Sequence, residues 1–496
     1  MSKNYLLLLL IFVFSFTIGY PQIKEKKDEI ISGLDLIYNF KWTEGNRIFE
    51  KIIREQPDEP VGYHFKSVSY LWHYLSNKDL NTYNTFLAYS DSALEKAIKK
   101  VDKQETEENF YLLGACYNYR SVVFAFKGNY LDAAYASKKA ETYLSKVISL
   151  NKNNYDAYFG LGLYNFAISQ IPSGFSWVLK IAGINGSKKT GYEYLKLASE
   201  KGTFSKAEAI YFYSQILMND DFDYSTSATY LSKLIKQYPD NIIFRYAQSV
   251  LLIKQKNPKA AKDLLLSIYN TPLDNFKKTV SYTKFLLGDV YFKLNMFDSA
   301  TVYYSAFLSD LVDADYSGIA AYRCGISYEM LNNRTEAVKY FKLTKNGNRD
   351  LEDDTYAFRK GSSFLNNPIS AEDKKKIYAE NLLECGDLNG AENIFSSLLK
   401  MEISPAQKAE IYFYLSEVKW NKKSTDESIN LALQAKDLNS GKEEWIKPFA
   451  LYNAARGYKS KNDFFKVKDI VDEVESYSGY DYEQTLTKML NKLNLR

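Results

Sequence analysis

A frame of small and aromatic residues recurs at fixed offsets, and it constrains the fold of this chain more than any other feature. Gly288 is followed by Tyr291, by Ala300 twelve residues after the glycine, and by Tyr304. Thirty-seven residues on, Gly325, Tyr328, Ala337 and Phe341 repeat the same offsets. Two closely packed helices need small residues where their backbones approach and bulky ones on either side. A Gly or Ala on one helix and an Ala on the next, twelve residues on across a tight turn, meet that need. A period of this length points to stacked helix pairs, in which no unit buries its apolar face alone.

The frame can be followed along most of the chain. Gly33, Leu36, Gly45, Phe49, Ile52 and Pro57 form a first unit, and longer helices over Val61–Leu75 and Thr82–Lys100 a second. Phe110–Leu150 reads as a pair turning at Lys127–Tyr130, with Ala133, Ala134 and Ala140 on its second helix. Tyr158, Leu161 and Gly162 open the next unit, whose second helix, Lys189–Ser199, follows a long insertion. Weaker pairs cover Ala209–Tyr238 and Ile242–Ile268. After the repeats at Gly288 and Gly325 comes an extra helical segment near Asp354–Phe364. The frame then resumes at Ala379, Leu382, Ala391 and Phe395, at Ser416, Ser428, Ala432 and Ala435, and at Ala455, Tyr458 and Val467. Most of the 10 prolines fall between helices, where a missing amide hydrogen does least harm. An all-α fold of about ten helix pairs follows, with strands nowhere required.

At these residues the chain resembles the tetratricopeptide-repeat (TPR) superfamily, in an exported bacterial form, which implies a superhelical solenoid and a protein-interaction role. Its first half, Gly33 to about Gly202, is also similar to the mitochondrial-outer-membrane TPR family linked to inclusion-body clearance. The stretches that carry this are GLDLIYNFKWTEGNRIFEKIIREQPDEP and YFGLGLYNFAISQIPSGFSWVLKIAGINGSKKTGYEYLKLASEKG. An apparent export signal sets the chain apart from that family, so a mitochondrial role does not carry over. Residues 24–205 are expected to form N-terminal repeats with an apolar insertion near 171–187, and residues 206–491 a C-terminal array continuous with them.

Residues 1–19 read as a signal peptide. Lys3 precedes an uncharged run from Leu6 to Ile18, and Thr17 and Gly19 sit at the −3 and −1 positions of a cleavage site. The run is shorter than the about 20 residues a spanning helix needs. No Cys follows it, which excludes attachment of the bacterial lipoprotein type, while an uncleaved anchor stays open. Export to the periplasm or cell envelope is the expectation.

A charged fraction of 25% and a hydrophobic fraction of 46% exclude wholesale disorder. A net charge of +4 is too mild to imply nucleic-acid binding. Cys116, Cys324 and Cys385 are far apart and form no CxxC pair or Cys/His cluster, which argues against a zinc site. His64 and His73 stand in no ligand pattern and read as packing or surface residues. The string Gly183–Thr190 superficially resembles a phosphate-binding loop, but two residues instead of four separate its glycines, Ser187 precedes the lysine, and no strand leads into it. No catalytic, cofactor-binding or metal-binding residues are therefore assigned, and no small-molecule substrate is expected.

The candidate partner-binding residues come from the frame. Three positions before the small residue of a first helix stand Phe285, Tyr322, Phe413 and Tyr452, and four after it stands Trp420. This aromatic lining, among Asp289, Glu329, Glu417, Arg456 and Lys459, suits an extended peptide or a helix. TPR clamps for a terminal carboxylate use Lys and Asn at set groove positions; aromatic residues stand at the Lys positions here. Phe175 and Trp177 of the apolar insertion form the alternative docking surface, for a partner or for peripheral membrane association. The leading expectation is a non-catalytic scaffold binding a protein segment in its concave groove. The alternative is an assembly or regulatory subunit of an envelope complex, anchored through its N-terminus or the insertion.

Overall fold

The computed structural model describes residues 22–170, 185–271, 276–438 and 440–493. Among them are α-helices, one short 3₁₀ turn at Thr344–Asn346 and no strand. The chain divides into two compact units, residues 1–213 with 236–241, and residues 214–235 with 242–496.

In the first unit lie α1 (Gln22–Glu25), α2 (Lys27–Tyr38), α3 (Trp42–Glu55), α4 (Pro60–Asn77), α5 (Leu80–Lys103), α6 (Glu107–Lys127), α7 (Tyr130–Leu150), α8 (Ala157–Ser169) and α9 (Lys188–Lys201). From α2 onward they pair in order, α2 on α3 through α8 on α9. The unit boundaries cut α10 (Lys206–Asn219) and α11 (Tyr224–Gln237).

The second unit continues with α12 (Ile242–Lys254), α13 (Pro258–Tyr269), α14 (Lys277–Lys293), α15 (Phe297–Ser309), α16 (Ser317–Met330) and α17 (Arg334–Leu343). The extra helix α18 (Glu352–Ser363) follows, then α19 (Ala371–Glu384), α20 (Leu388–Leu398), α21 (Pro405–Asn421), α22 (Thr425–Asp437), α23 (Ile446–Ser460), α24 (Phe464–Val474) and α25 (Glu483–Leu493).

The small residues of the frame have a definite use. A Cβ on Gly288 would lie 2.6 Å from the ring of Tyr304, and one on Gly325 2.6 Å from the ring of Phe341. Gly33 stands in the same relation to Phe49, again at 2.6 Å. Each first helix thus leaves a notch for the residue sixteen positions later on its partner. Tyr304, Phe49, Phe341 and Phe395 are buried through this contact or its counterpart at Ala379. The backbone approach anticipated from the sequence does occur at Gly45, where a Cβ would come within 2.9 Å of the Gly33 carbonyl oxygen.

Seven residues after the small position the backbone turns left-handed in repeat after repeat: Phe40, Lys256, Asn295, Asn332, Gly386, Lys423 and Asn462 all have positive φ. This residue ends the first helix by a Schellman turn. In one such turn the Asn295 amide donates to Phe292 O and the Met296 amide to Tyr291 O, both at 2.9 Å.

The extra helix α18 is held by a buried carboxylate. Asp354 Oδ1 accepts from the Ile319 amide at the start of α16 and Oδ2 from Asn348, both at 2.8 Å. Gly318 and Gly347 make room for it, since a Cβ on either would lie within 2.9 Å of its side chain. Among the described residues no helix is long and apolar enough to cross a membrane. The insertion residues 171–184, with Phe175 and Trp177, lie outside the described residues.

Candidate functional site

The first helices of the second unit carry the aromatic positions singled out by the frame, but they do not present them equally. Phe285 is 6% exposed, with its ring 5.2 Å from Tyr316 and 5.4 Å from Phe307. Phe413 is 8% exposed and meets Trp445 edge-on at 5.2 Å. Both rings are taken up between neighbouring helix pairs. Tyr322 is half-buried, set edge-on to Tyr356 at 5.8 Å and stacked on Phe364 at 6.5 Å.

Trp420 on α21 and Tyr452 on α23 are half-buried and share one cation. The Arg456 guanidinium lies 4.6 Å from the Trp420 ring centroid and 5.8 Å from that of Tyr452. It donates to Glu417 Oε1 at 2.6 Å. A cation over an aromatic face contributes about 0.5–2 kcal/mol depending on desolvation. The four side chains form a preordered surface that offers ring area, a positive charge and a carboxylate.

Around Tyr322 the unit is lined by its own charges. Glu443 accepts from Arg359 at 2.9 Å and from Lys360 at 2.8 Å, and these cations hold its carboxyl down at about 2 against the cost of burial. Lys376 pairs with Glu410. Burial pushes the Glu380 carboxyl up, with Glu410 adding to the shift and Lys376 opposing it. The start of α25 is tied to α18: Tyr482 donates to Asp353 at 3.0 Å and the Thr485 hydroxyl to Glu352 at 2.6 Å. These charges are spent on holding the unit together.

The first unit holds a different constellation. Glu208 on α10 is 1% exposed; Trp72 Nε1 donates to its Oε1 at 3.5 Å and the Tyr119 hydroxyl at 3.3 Å. Burial pushes its carboxyl up to about 7. His64 on α4 is equally buried, which pushes its imidazole down to about 3, and its Nδ1 lies 3.5 Å from Cys116 Sγ. Near the ends of α5, α6 and α9 lies a pocket of about 570 Å³, with lysines at its mouth and Tyr111 and Phe204 among its walls. Sequence reasoning missed both, because segments tens of residues apart assemble each of them and no spacing marks them. Among the described residues no group of His, Cys, Asp and Glu is arranged to hold a metal ion.

Residues 81–287 match the family model described as Iml2/Tetratricopeptide repeat protein 39. The match contains the stretch beginning YFGLGLYNF and starts after the one beginning GLDLIYNF. No curated protein matches the chain. Similar solved structures include a tetratricopeptide repeat protein from Parabacteroides merdae, 14% identical, covering 58% of this chain and 98% of that one with a TM-score of 0.25. Yeast Tom70 is 14% identical, with 92% and 93% covered and a TM-score of 0.32. The apo quorum sensor NprR from B. thuringiensis is 15% identical, with 82% and 99% covered and a TM-score of 0.33.

Proposed function

We propose that the chain is a tetratricopeptide-repeat protein that works as a non-catalytic protein-interaction scaffold, exported to the periplasm or cell envelope, and that its second unit takes a peptide or protein segment; the family match over residues 81–287 and the all-helical fold support this reading. The observation that carries this reading is the partly buried cluster of Trp420, Tyr452 and Arg456, which keeps one edge at the surface. Interfaces draw most of their energy from a few such anchors, with Trp, Tyr and Arg the commonest. Tyr322 offers a further ring on the same series of first helices.

Capture of the native partner from the envelope, with helicity followed by circular dichroism, tests this. Trp420→Ala and Tyr452→Ala should each weaken capture by at least about 2 kcal/mol, roughly thirtyfold, with helicity intact. Phe413→Ala, which empties a packed seam, should lower stability by about 3–5 kcal/mol. Capture that survives at both Trp420 and Tyr452 would rule this surface out.

A second reading, an assembly subunit held to an envelope complex, has its own observation. Tyr130, Leu131 and Tyr135 at the start of α7 are 73%, 89% and 61% exposed, an apolar patch of the kind that marks contact surfaces. Substituting all three by Ser, with the Trp420 cluster intact, should then release the protein from the envelope fraction.

A further inference from the structure

The pocket of about 570 Å³ in the first unit is unusual in its charge balance. Lys24, Lys27, Lys100, Lys103 and Lys201 line it, against the acids Glu107, Glu108 and Asp156. All three acids are committed inside the fold. Glu107 accepts from the side-chain amides of Asn151 at 3.0 Å and Asn154 at 2.8 Å. Glu108 accepts from the Ile23 amide. Asp156 Oδ1 accepts from the backbone amides of Thr203, Phe204 and Ser205 at 2.8–2.9 Å, which ties the α8 entry to the turn before α10.

Of the five lysines only one is held in an ion pair among the described residues. Lys100 pairs with Glu59. Lys24, Lys27, Lys103 and Lys201 are exposed, and among the described residues none of them makes an ion pair. Lys201 Nζ lies over the ring of Tyr155 at 5.1 Å from its centroid, and Lys24 acts on the nearby Glu108 carboxyl, but neither is closed off by an ion pair, so four ammonium groups remain exposed around the pocket. Burial also pushes Glu108 and Asp156 up, which weakens the negative side of the balance further.

The chemistry of the lining selects among anions. No arginine is present, so nothing offers the rigid fork that clasps one carboxylate or phosphate from two sides. Lysines are separate point charges on flexible stems, here set on α1, α2, α5 and α9. Such a set is satisfied by several carboxylates spaced along a chain. The volume lies within the range of ordinary ligand pockets, and Tyr111, Phe204 and Ile23 give apolar surface for the stems of long acidic side chains.

We propose that this pocket binds an acidic stretch of a partner polypeptide, with Lys24, Lys27, Lys103 and Lys201 as its carboxylate-binding groups. Whereas the Trp420 cluster belongs to the second unit, the site lies at helix ends of the first. It rests on the scaffold reading only in that the ligand is a polypeptide.

The test is fluorescence anisotropy of labelled hexaglutamate with the full chain at low salt. Saturable binding is expected, weakening as salt screens the lysines. The double variant Lys103→Glu/Lys201→Glu should weaken it at least tenfold with an unchanged circular dichroism spectrum. Lys189→Glu, which reverses an exposed lysine outside the pocket, should leave it unchanged, and so should Trp420→Ala. That last control separates failure here from failure of the Trp420 surface. The proposal is overturned if hexaglutamate does not saturate, or if Lys189→Glu costs as much as the double variant. Displacement by citrate at the same molar concentration would instead make this a site for small polycarboxylates and overturn the polypeptide assignment.

Discussion

Glu208 and His64 are both buried in the first unit, and their protons pull stability in opposite directions. The folded chain holds the Glu208 proton up to about 7, against 4.5 for an unperturbed carboxyl. Its contribution is therefore fully present below pH 4.5 and is lost as pH rises through about 7. His64 is held neutral down to about 3, against 6.5 unperturbed. Its contribution is present above pH 6.5 and is lost as pH falls toward 3. Each group alone gives a slope of about 1.4 kcal/mol per pH unit in its window, so the two cancel where the windows overlap. Urea unfolding of Glu208→Gln against the parent should show the difference moving in favour of the variant as pH rises from 4.5 to 7. For His64→Phe the difference should move in favour of the variant as pH falls from 6.5 to 3. Differences that stay constant with pH would mean that water reaches both side chains.

Between helices, the notch at each glycine makes a sharper claim than burial alone. Gly325→Leu puts atoms where the Phe341 ring already lies, since even a Cβ would be 2.6 Å from it. Overpacking of this kind costs about 1–3 kcal/mol. If the register is right, the cost should largely vanish when Gly325→Leu is made in a Phe341→Ala background, and chemical denaturation of the four proteins reads that coupling. This contact was legible in the sequence as an offset, because helix periodicity fixes which residues share a face. The offset alone did not say whether the glycine faces a backbone or a ring. The extra helix expected near Asp354–Phe364 appears at Glu352–Ser363. The use of Asp354 to cap α16 was not legible, because it depends on how α18 packs back across the pair before it. The candidate site divides in the same way. Trp420 and Tyr452 follow from register, whereas the burial of Phe285 and Phe413 depends on Tyr316 and Trp445, which come from the connections between helices and follow no repeat rule.

For the whole molecule, the proposed export has to be reconciled with three cysteines. An oxidising compartment joins thiols that can meet, and an odd number leaves one to pair between molecules. Folding removes that hazard by burial. Cys116 lies against His64, and burial pushes its thiol up to about 12. Cys324 lies beside Ser305, and burial pushes its thiol to about 12 as well. Cys385 is half-buried and donates to the Lys293 carbonyl at 2.9 Å, and its thiol too is raised. Since the thiolate is the reactive species, such groups stay inert near neutral pH. Native protein from the envelope should begin close to Tyr20 or Pro21 on N-terminal sequencing, an expectation of the export proposal that rests on Lys3, the uncharged Leu6–Ile18 run and the small Thr17 and Gly19. It should also react with a thiol reagent at none of its three cysteines until denatured, and then at all three. A native N-terminus at Met1 or Ser2 in a cytosolic fraction would defeat the export proposal, and a disulfide found in the native material would defeat the argument from burial.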